Sequence, residues 1–238
     1  MIPKKIHYCW FGKGEKSEEV YKCIESWKKF LPGYEIIEWN EENFDVYEIK
    51  YTKEAYEKKK WAFVSDYARF KILYENGGIY FDTDVELIKD LTPILNKGSY
   101  MGCEYSIDND KILIAPGLGM AVNPKNHIYK EIIDVYNEKY FLNKDGSFNL
   151  ETVCECITNV FDRHGFKRKN IVQNICDIYI YPTEYFCPMN YKTGEINITN
   201  KTYSIHHYTA SWQSPFMKMK TKIKKKFNNI LRFINIKK

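Results

Sequence analysis

At 238 residues the chain is long enough to bury a sizeable core and short enough to need only one domain. Its 44% hydrophobic and 28% charged residues lie in the ordinary globular range, which excludes disorder as the starting point. The net charge of +5 is unevenly placed: residues 213–238 hold nine of the 36 Lys and Arg and none of the 31 Asp and Glu, which leaves 27 basic against 31 acidic residues before them, a net of −4. A mildly acidic body argues against nucleic acid as a partner and confines the basic character to the tail.

Seven cysteines, an odd number without a CxxC pair, read as reduced and mostly buried thiols in a cytoplasmic protein rather than as disulfides or a zinc site. There is no 7–15-residue apolar stretch of the signal-peptide kind and no 18-residue run, so neither a leader nor a membrane span is expected. The 20 tyrosines offer flat faces with polar tips, which suit sugar and base contacts and suit a core equally well.

In chain order, residues 4–10 read as a first strand ending in a glycine-containing turn. Ser17 caps a helix that carries Glu18 and Glu19 in its first turn and runs to Phe30, where Pro32-Gly33 stops it. Residues 34–39 alternate as a second strand. Thr52 is expected to cap the next helical stretch, and residues 61–75 to continue it until Asn76-Gly77-Gly78 ends it. A short buried strand at 79–81 follows. Further strands are predicted at 99–105, 111–115, 177–181 and 203–208, with a helix opened by Pro124 and running to Tyr140, and another over 149–164 closed by Gly165. Strands alternating with helices argue α/β layering.

The chemistry-bearing run is Tyr80-Phe81-Asp82-Thr83-Asp84. In open α/β sheets ligands bind beyond the carboxyl ends of strands, so a carboxylate pair there faces a crevice. Two hard oxygen donors one residue apart can hold a divalent cation and leave room for diphosphate oxygens. Asp-x-Asp triplets alone are common in surface turns; the preceding Gly77-Gly78-Ile79-Tyr80-Phe81 makes this one more specific. Upstream, Asp66 and Arg69 are three apart and share a helical face. They read either as a solvated ion pair or as a pair aimed together at sugar hydroxyls.

The ordered set Ile2-Pro3-Lys4-Lys5-Ile6-His7-Tyr8-Cys9-Trp10-Phe11-Gly12, Ser65-Asp66-x-x-Arg69 and Gly77-Gly78-Ile79-Tyr80-x-Asp82-x-Asp84 resembles the DXD-bearing sugar transferases of glycosyltransferase family 32. That group includes capsular polysaccharide transferases and the yeast initiating mannosyltransferase, with the large clostridial glucosylating toxins more distant. The resemblance covers residues 2 to about 90, with a further patch at His206-His207-Tyr208-Thr209-Ala210-Ser211-Trp212. It implies a single-domain GT-A type α/β fold over residues 1–212, with a mixed central sheet flanked by helices, and a retaining, metal-dependent hexosyl transfer from a nucleoside diphosphate sugar, with UDP as the expected carrier.

By the same resemblance, Asp66, Arg69, Asp82 and Asp84 are the catalytic set. Trp10 stacks on the base, Asp66 and Arg69 hold the donor sugar, Asp82 lies near ribose and sugar, and Asp84 binds Mn²⁺ or Mg²⁺ directly. Ser211 and Trp212 approach the diphosphate. Adjacent strand residues point to opposite faces, so one of the two histidines faces the site; His207 is taken as the second metal ligand. The segments at 115–120 and 149–152 match the family only loosely, and no nucleophile is assigned.

The tail places Met219, Ile223, Phe227, Ile230 and Ile234 at spacings of 4, 4, 3 and 4 among lysines, a basic amphipathic helix over 213–238. Through 216–238 it can lie on an anionic inner leaflet beside a lipid-linked saccharide acceptor, as a peripheral protein of bacterial capsular or surface polysaccharide synthesis; packing on its own domain is the other reading. Two other classes are open: a DxD metal-dependent phosphohydrolase, against which Glu86 stands where Thr or Val is wanted, and a non-catalytic sugar-binding module using the aromatics.

Overall fold

The structure, a computed structural model, describes residues 1–106, 111–190 and 193–209. Strand β1 (Lys5–Cys9), helix α1 (Glu18–Phe30), strand β2 (Glu35–Trp39), helices α2 (Lys50–Glu57) and α3 (Trp61–Asn76) and strand β3 (Gly78–Tyr80) open the chain. Strand β4 (Val85–Leu87), the short helix α4 (Thr92–Leu95), strands β5 (Ser99–Tyr105) and β6 (Ile112–Val122) and helices α5 (His127–Asn137) and α6 (Val153–Arg163) follow. Strands β7 (Gln173–Ile175) and β8 (Ile178–Tyr181), the short helix α7 (Thr183–Phe186) and strand β9 (Ser204–His206) complete it.

Seven strands form one mixed sheet in the order β2-β1-β3-β6-β5-β8-β7, and β4 pairs with β9 in a separate ribbon. Within the large sheet β6 and β7 run against the other strands. This is the α/β arrangement expected, a mixed central sheet flanked by helices, with a core on each face. Cys9, Tyr80, Met101 and Ile114 pack toward α2, α3, α5 and α6, whereas Ile6, Tyr8, Ile79 and Phe81 pack toward α1 and β4. Burial of successive residues on opposite faces is the period-2 pattern of a strand covered on both sides.

Helix α1 buries Val20, Cys23, Ile24 and Trp27, one stripe at helical spacing, and carries its acidic residues at the start and Lys28 and Lys29 at the end. Helix α3 buries residues nearly all round, Asp66 and Arg69 among them, because sheet, α2 and α5 enclose it. Thr52 does not cap α2: Ile49 holds that position, and Thr52 lies inside the helix with its hydroxyl donating to the Ile49 carbonyl. Helix α5 begins at His127 rather than at Pro124, with Asn126 as its side-chain cap, and α6 begins at Val153 rather than at Asn149, with Thr152 as its cap.

The largest difference is β6, which continues past Ala115 to Val122. Its pairing with β5 jumps from Met120 to Ala115, so Pro116, Gly117, Leu118 and Gly119 bulge out of that ladder. A proline without an amide hydrogen is tolerated at such a bulge and nowhere else inside a central strand. Strands β4 and β7, three residues each, were not expected from the sequence. The predicted tail helix lies outside the described residues; among the described residues no helix is long and apolar enough to cross a membrane. All seven cysteines are free thiols, Cys9, Cys23, Cys103 and Cys156 buried.

His7 on β1 is fully buried and knits three segments together. Its Nε2 donates to the Gly77 carbonyl at 3.0 Å, and its Nδ1 accepts from Trp39 Nε1 at 3.0 Å, which requires the neutral tautomer. Gly77 (φ 63°) and Gly78 (φ 99°) make the corner between α3 and β3; a Cβ on Gly78 would meet the Lys5 carbonyl at 2.7 Å. Burial holds His7 down to about 4, from 6.5. The unfolded chain therefore takes up a proton at this residue below about pH 6.5 while the native chain does not until about 4, so stability is lost as pH falls through that window, by about 3 kcal/mol at the acid end. Urea melts of the native chain and of His7→Gln across pH 7 to 4 should differ by this slope. Parallel curves for the two would rule out a neutral buried His7.

Candidate active site

Strands β2 and β3 flank β1 on opposite sides, so the chain changes direction across β1, and in open α/β sheets ligands bind beyond the carboxyl ends of strands at such a point. Trp10 follows β1 and Asp82 follows β3, at that same edge. The Phe81 amide donates to the His7 carbonyl at 3.1 Å, and the Trp10 amide donates to the Trp39 carbonyl at 2.8 Å, which continues the ladders to the rim. A cavity of about 550 Å³ beside Ile2, Leu31, Tyr34 and Asp90 lies at the opposite, amino-terminal edge of the sheet.

Asp66 and Arg69 are not a solvated pair. Arg69 is 4% exposed and its guanidinium joins three carbonyl or carboxylate groups: Nη2 lies 3.1 Å from Asp66 Oδ1 and 3.2 Å from Asp82 Oδ1, and Nε donates to the Ser65 carbonyl at 3.0 Å. The guanidinium also sits 5.1 Å from the centre of the Tyr80 ring, and the Tyr80 hydroxyl donates to Asp82 Oδ1 at 3.0 Å. Burial raises Asp66 to about 6, against the pull of Arg69 and with a push from Asp82. One cation between two carboxylates thus holds Asp82, after β3, to Asp66 on α3.

The bulge in β6 fits onto this cluster. A Cβ on Gly117 would stand 2.3 Å from Asp82 Oδ2 and 3.5 Å from Arg69 Nη1. Gly117→Ala is expected to force Asp82 off Arg69, at an over-packing cost of about 1–3 kcal/mol. The check is a urea melt together with nucleotide-sugar affinity; an unchanged value in both would mean that the bulge yields freely.

Asp84 is held separately, in the turn before β4. Its Oδ1 lies 3.0 Å from His206 Nε2, and its Oδ2 accepts from the Thr209 amide at 2.9 Å and the Thr209 hydroxyl at 3.1 Å. Burial opposes the carboxylate, but His206 and Thr209 hold it well below the usual carboxylate range. Burial likewise opposes the imidazolium, but the charge and hydrogen bond of Asp84, with Asp82 and Glu104 nearby, push His206 up to about 9.

The ring that lies beside Asp84 is thus that of His206. His207 was expected beside Asp84; only its amide is, donating to the Asp84 carbonyl at 3.0 Å, while its ring bonds Glu86 Oε2 at 2.8 Å. Alternation governs residues inside the ribbon, such as Glu86 opposite Ile205, but Asp84 precedes β4 and its carboxylate turns toward His206 instead. Trp10 stands at the end of β1, half-buried, its Nε1 donating to the Gly14 carbonyl at 2.7 Å and Lys16 Nζ 5.5 Å from its ring. Ser211 and Trp212 lie outside the described residues. Sequence reasoning quoted Tyr80, Gly117, His206 and Thr209 without giving any of them a contact to Asp82 or Asp84. All four stand within motifs it quoted, and long-range packing alone selects them.

Residues 17–101, which contain Asp66, Arg69, Asp82 and Asp84, match a protein family described as "Glycosyltransferase sugar-binding region containing DXD motif". A solved structure described as "PaToxG Glycosyltransferase" superimposes with a TM-score of 0.52 at 20% identity, over 68% of this chain and 69% of that one. The fold is GT-A. Among curated proteins the GT-A chain is 28% identical to "Uncharacterized glycosyltransferase L373" of Acanthamoeba polyphaga mimivirus, over 92% of this chain and 86% of that protein. It is 25% identical to "Subversion of eukaryotic traffic protein A" of Legionella pneumophila, over 63% of this chain, and spans 27% of that relative's length. What these matches give is a sugar-binding region over residues 17–101 and, in the solved structure, the fold.

Proposed function

We propose that the chain moves a sugar from a nucleoside diphosphate sugar, with UDP the expected carrier, to a saccharide acceptor with retention of anomeric configuration, in the manner of glycosyltransferase family 32. The observation that carries this reading is the Asp66–Arg69–Asp82 cluster at the carboxyl-terminal edge of β3, two residues before Asp84 in the chain, with Trp10 at the same end of the neighbouring β1. The cluster offers hydrogen-bonding groups fixed in place for sugar hydroxyls, and the indole offers a stacking face for a base, a contact of about 1–3 kcal/mol.

Asp84 supplies a carboxylate that suits Mn²⁺ or Mg²⁺, and His206, 3.0 Å away, would supply an imidazole once the ion had displaced the Nε2 proton that now bonds Asp84. Among the described residues no group of three or more His, Cys, Asp or Glu converges, so these two would hold the ion with phosphate oxygens completing its shell. A cation bound there neutralises charge on the departing diphosphate. The transfer itself needs no protein nucleophile: the acceptor hydroxyl oxygen bonds the anomeric carbon, the bond to phosphate oxygen breaks, and the hydroxyl proton passes to the leaving diphosphate.

A lipid-linked acceptor, a role in capsular or surface polysaccharide synthesis, and a cytoplasmic location with residues 216–238 on the inner face of the plasma membrane belong to the same proposal. They draw on the basic amphipathic pattern of the tail. The phosphohydrolase reading is weaker, because Asp82 as nucleophile would have to leave Arg69 and Tyr80.

The test is a panel of nucleotide sugars with Mn²⁺, read as release of nucleoside diphosphate with and without EDTA. The proposal expects EDTA-sensitive release from at least one donor and no cleavage of phosphate monoesters; the reverse pattern favours the hydrolase. Trp10→Ala should weaken UDP binding on the order of tenfold or more by calorimetry, and equal affinity would remove the stacking role.

A further inference from the structure

Beyond the residues that touch Asp84, the chain that delivers them needs its own support. After β9 the chain extends the ribbon by one more bond, His207 amide to Asp84 carbonyl, and then turns back at Tyr208. Tyr208 has φ 49°, the left-handed region, which for a residue with a Cβ costs roughly 1–2 kcal/mol. Only because of this reversal do His206 and Thr209, on either side of the turn, reach the two oxygens of one carboxylate.

What holds Tyr208 in that conformation is a polar cluster from another part of the fold. Its hydroxyl donates to Glu104 Oε2 at 2.9 Å. Cys154 Sγ donates to Glu104 Oε1 at 3.2 Å, so both oxygens of this carboxylate are engaged. Since the single phenolic proton goes to Glu104, the Cys187 thiol, 3.0 Å away, donates to the phenol oxygen. The Tyr208 ring lies 4.1 Å from the His206 ring, centre to centre. Glu104 stands near the carboxyl end of β5, which runs in the same direction as β3 because β6 opposes both. It therefore lies at the same edge of the sheet as Asp82.

We infer that Glu104 is a positioning residue: acting through Tyr208, it latches residues 206–209 into the turn that grips Asp84. Its use in catalysis rests on the reading of Asp84 given above; the latch itself does not.

The experiment therefore reads the latch directly, as amide hydrogen exchange resolved by NMR on the full chain without added metal. In Tyr208→Phe and in Glu104→Ala the Thr209 amide should exchange faster on the order of tenfold or more, by the same factor in each, with the double variant no faster than either. Glu104→Gln, whose amide oxygen still accepts from the phenol, should keep most of the protection. The β1 amides should stay unchanged in all of them, which separates loss of the latch from general loosening. Unchanged exchange at Thr209 in Tyr208→Phe overturns the inference, as do effects of the two single variants that multiply in the double one. Should Glu104→Ala not fold, Tyr208→Phe decides alone, since it removes one oxygen. A wild-type chain inactive toward every nucleotide sugar defeats the transferase reading and leaves this result standing.

Discussion

Asp84→Asn should lower sugar transfer by about 10²–10³-fold or more while leaving a folded protein. The carboxylate accepts three hydrogen bonds, from His206 Nε2 and from the amide and hydroxyl of Thr209, and carries the negative charge that a divalent cation would be drawn to. Asparagine keeps the shape but replaces one acceptor oxygen by an NH₂ group, which must then face either the imidazole or the Thr209 amide, donor against donor. It also removes the charge. The loss should persist at saturating Mn²⁺ in the diphosphate-release assay, with circular dichroism reporting native secondary structure. Wild-type turnover in the variant would reject Asp84 as the residue at the diphosphate end.

Arg69→Met should destabilise the chain by about 3–5 kcal/mol. The guanidinium is 4% exposed and is shared by Asp66 and Asp82; without it the buried Asp66 loses its counter-ion and faces the like charge of the partly exposed Asp82. Arg69→Lys should recover little, because a single ammonium cannot reach both carboxylates and the Ser65 carbonyl in the forked geometry seen here. Restoring the balance by a second change, Asp82→Asn in the Arg69→Met background, should return part of the stability and none of the activity. Urea unfolding of the three variants measures this directly. If Arg69→Met were as stable as the native chain, the cluster would be solvated in solution.

The order of elements could be read from local pattern because helix and strand periods are local properties. The stripe Val20, Cys23, Ile24 and Trp27 announces α1, and the left-handed pair Gly77-Gly78 announces the corner before β3. The edge of the sheet that carries the proposed site was legible too, since Asp82-x-Asp84 follows a buried strand and Trp10 ends another. Misread were features that depend on partners far along the chain. Pro116 read as a strand end, although the ladder with β5 simply skips four residues and resumes. Asp66 and Arg69 could have been a surface ion pair by spacing alone; enclosure of α3 by the sheet and two helices makes them a buried one.

Taken by itself, the amino-acid sequence determined that this is an α/β chain with a carboxylate pair at a strand end, a buried thiol population and a basic tail separate from an acidic body. Tertiary structure alone decided that His206 rather than His207 meets Asp84, that Gly117 makes room for Asp82, and that Glu104 braces Tyr208. The division has a simple cause. Periodicity and capping are set by residues within a few positions of one another, whereas His206 lies 122 residues from Asp84 and Tyr208 lies 104 from Glu104. Their meeting depends on where β9 docks against β4, and no local pattern carries that information.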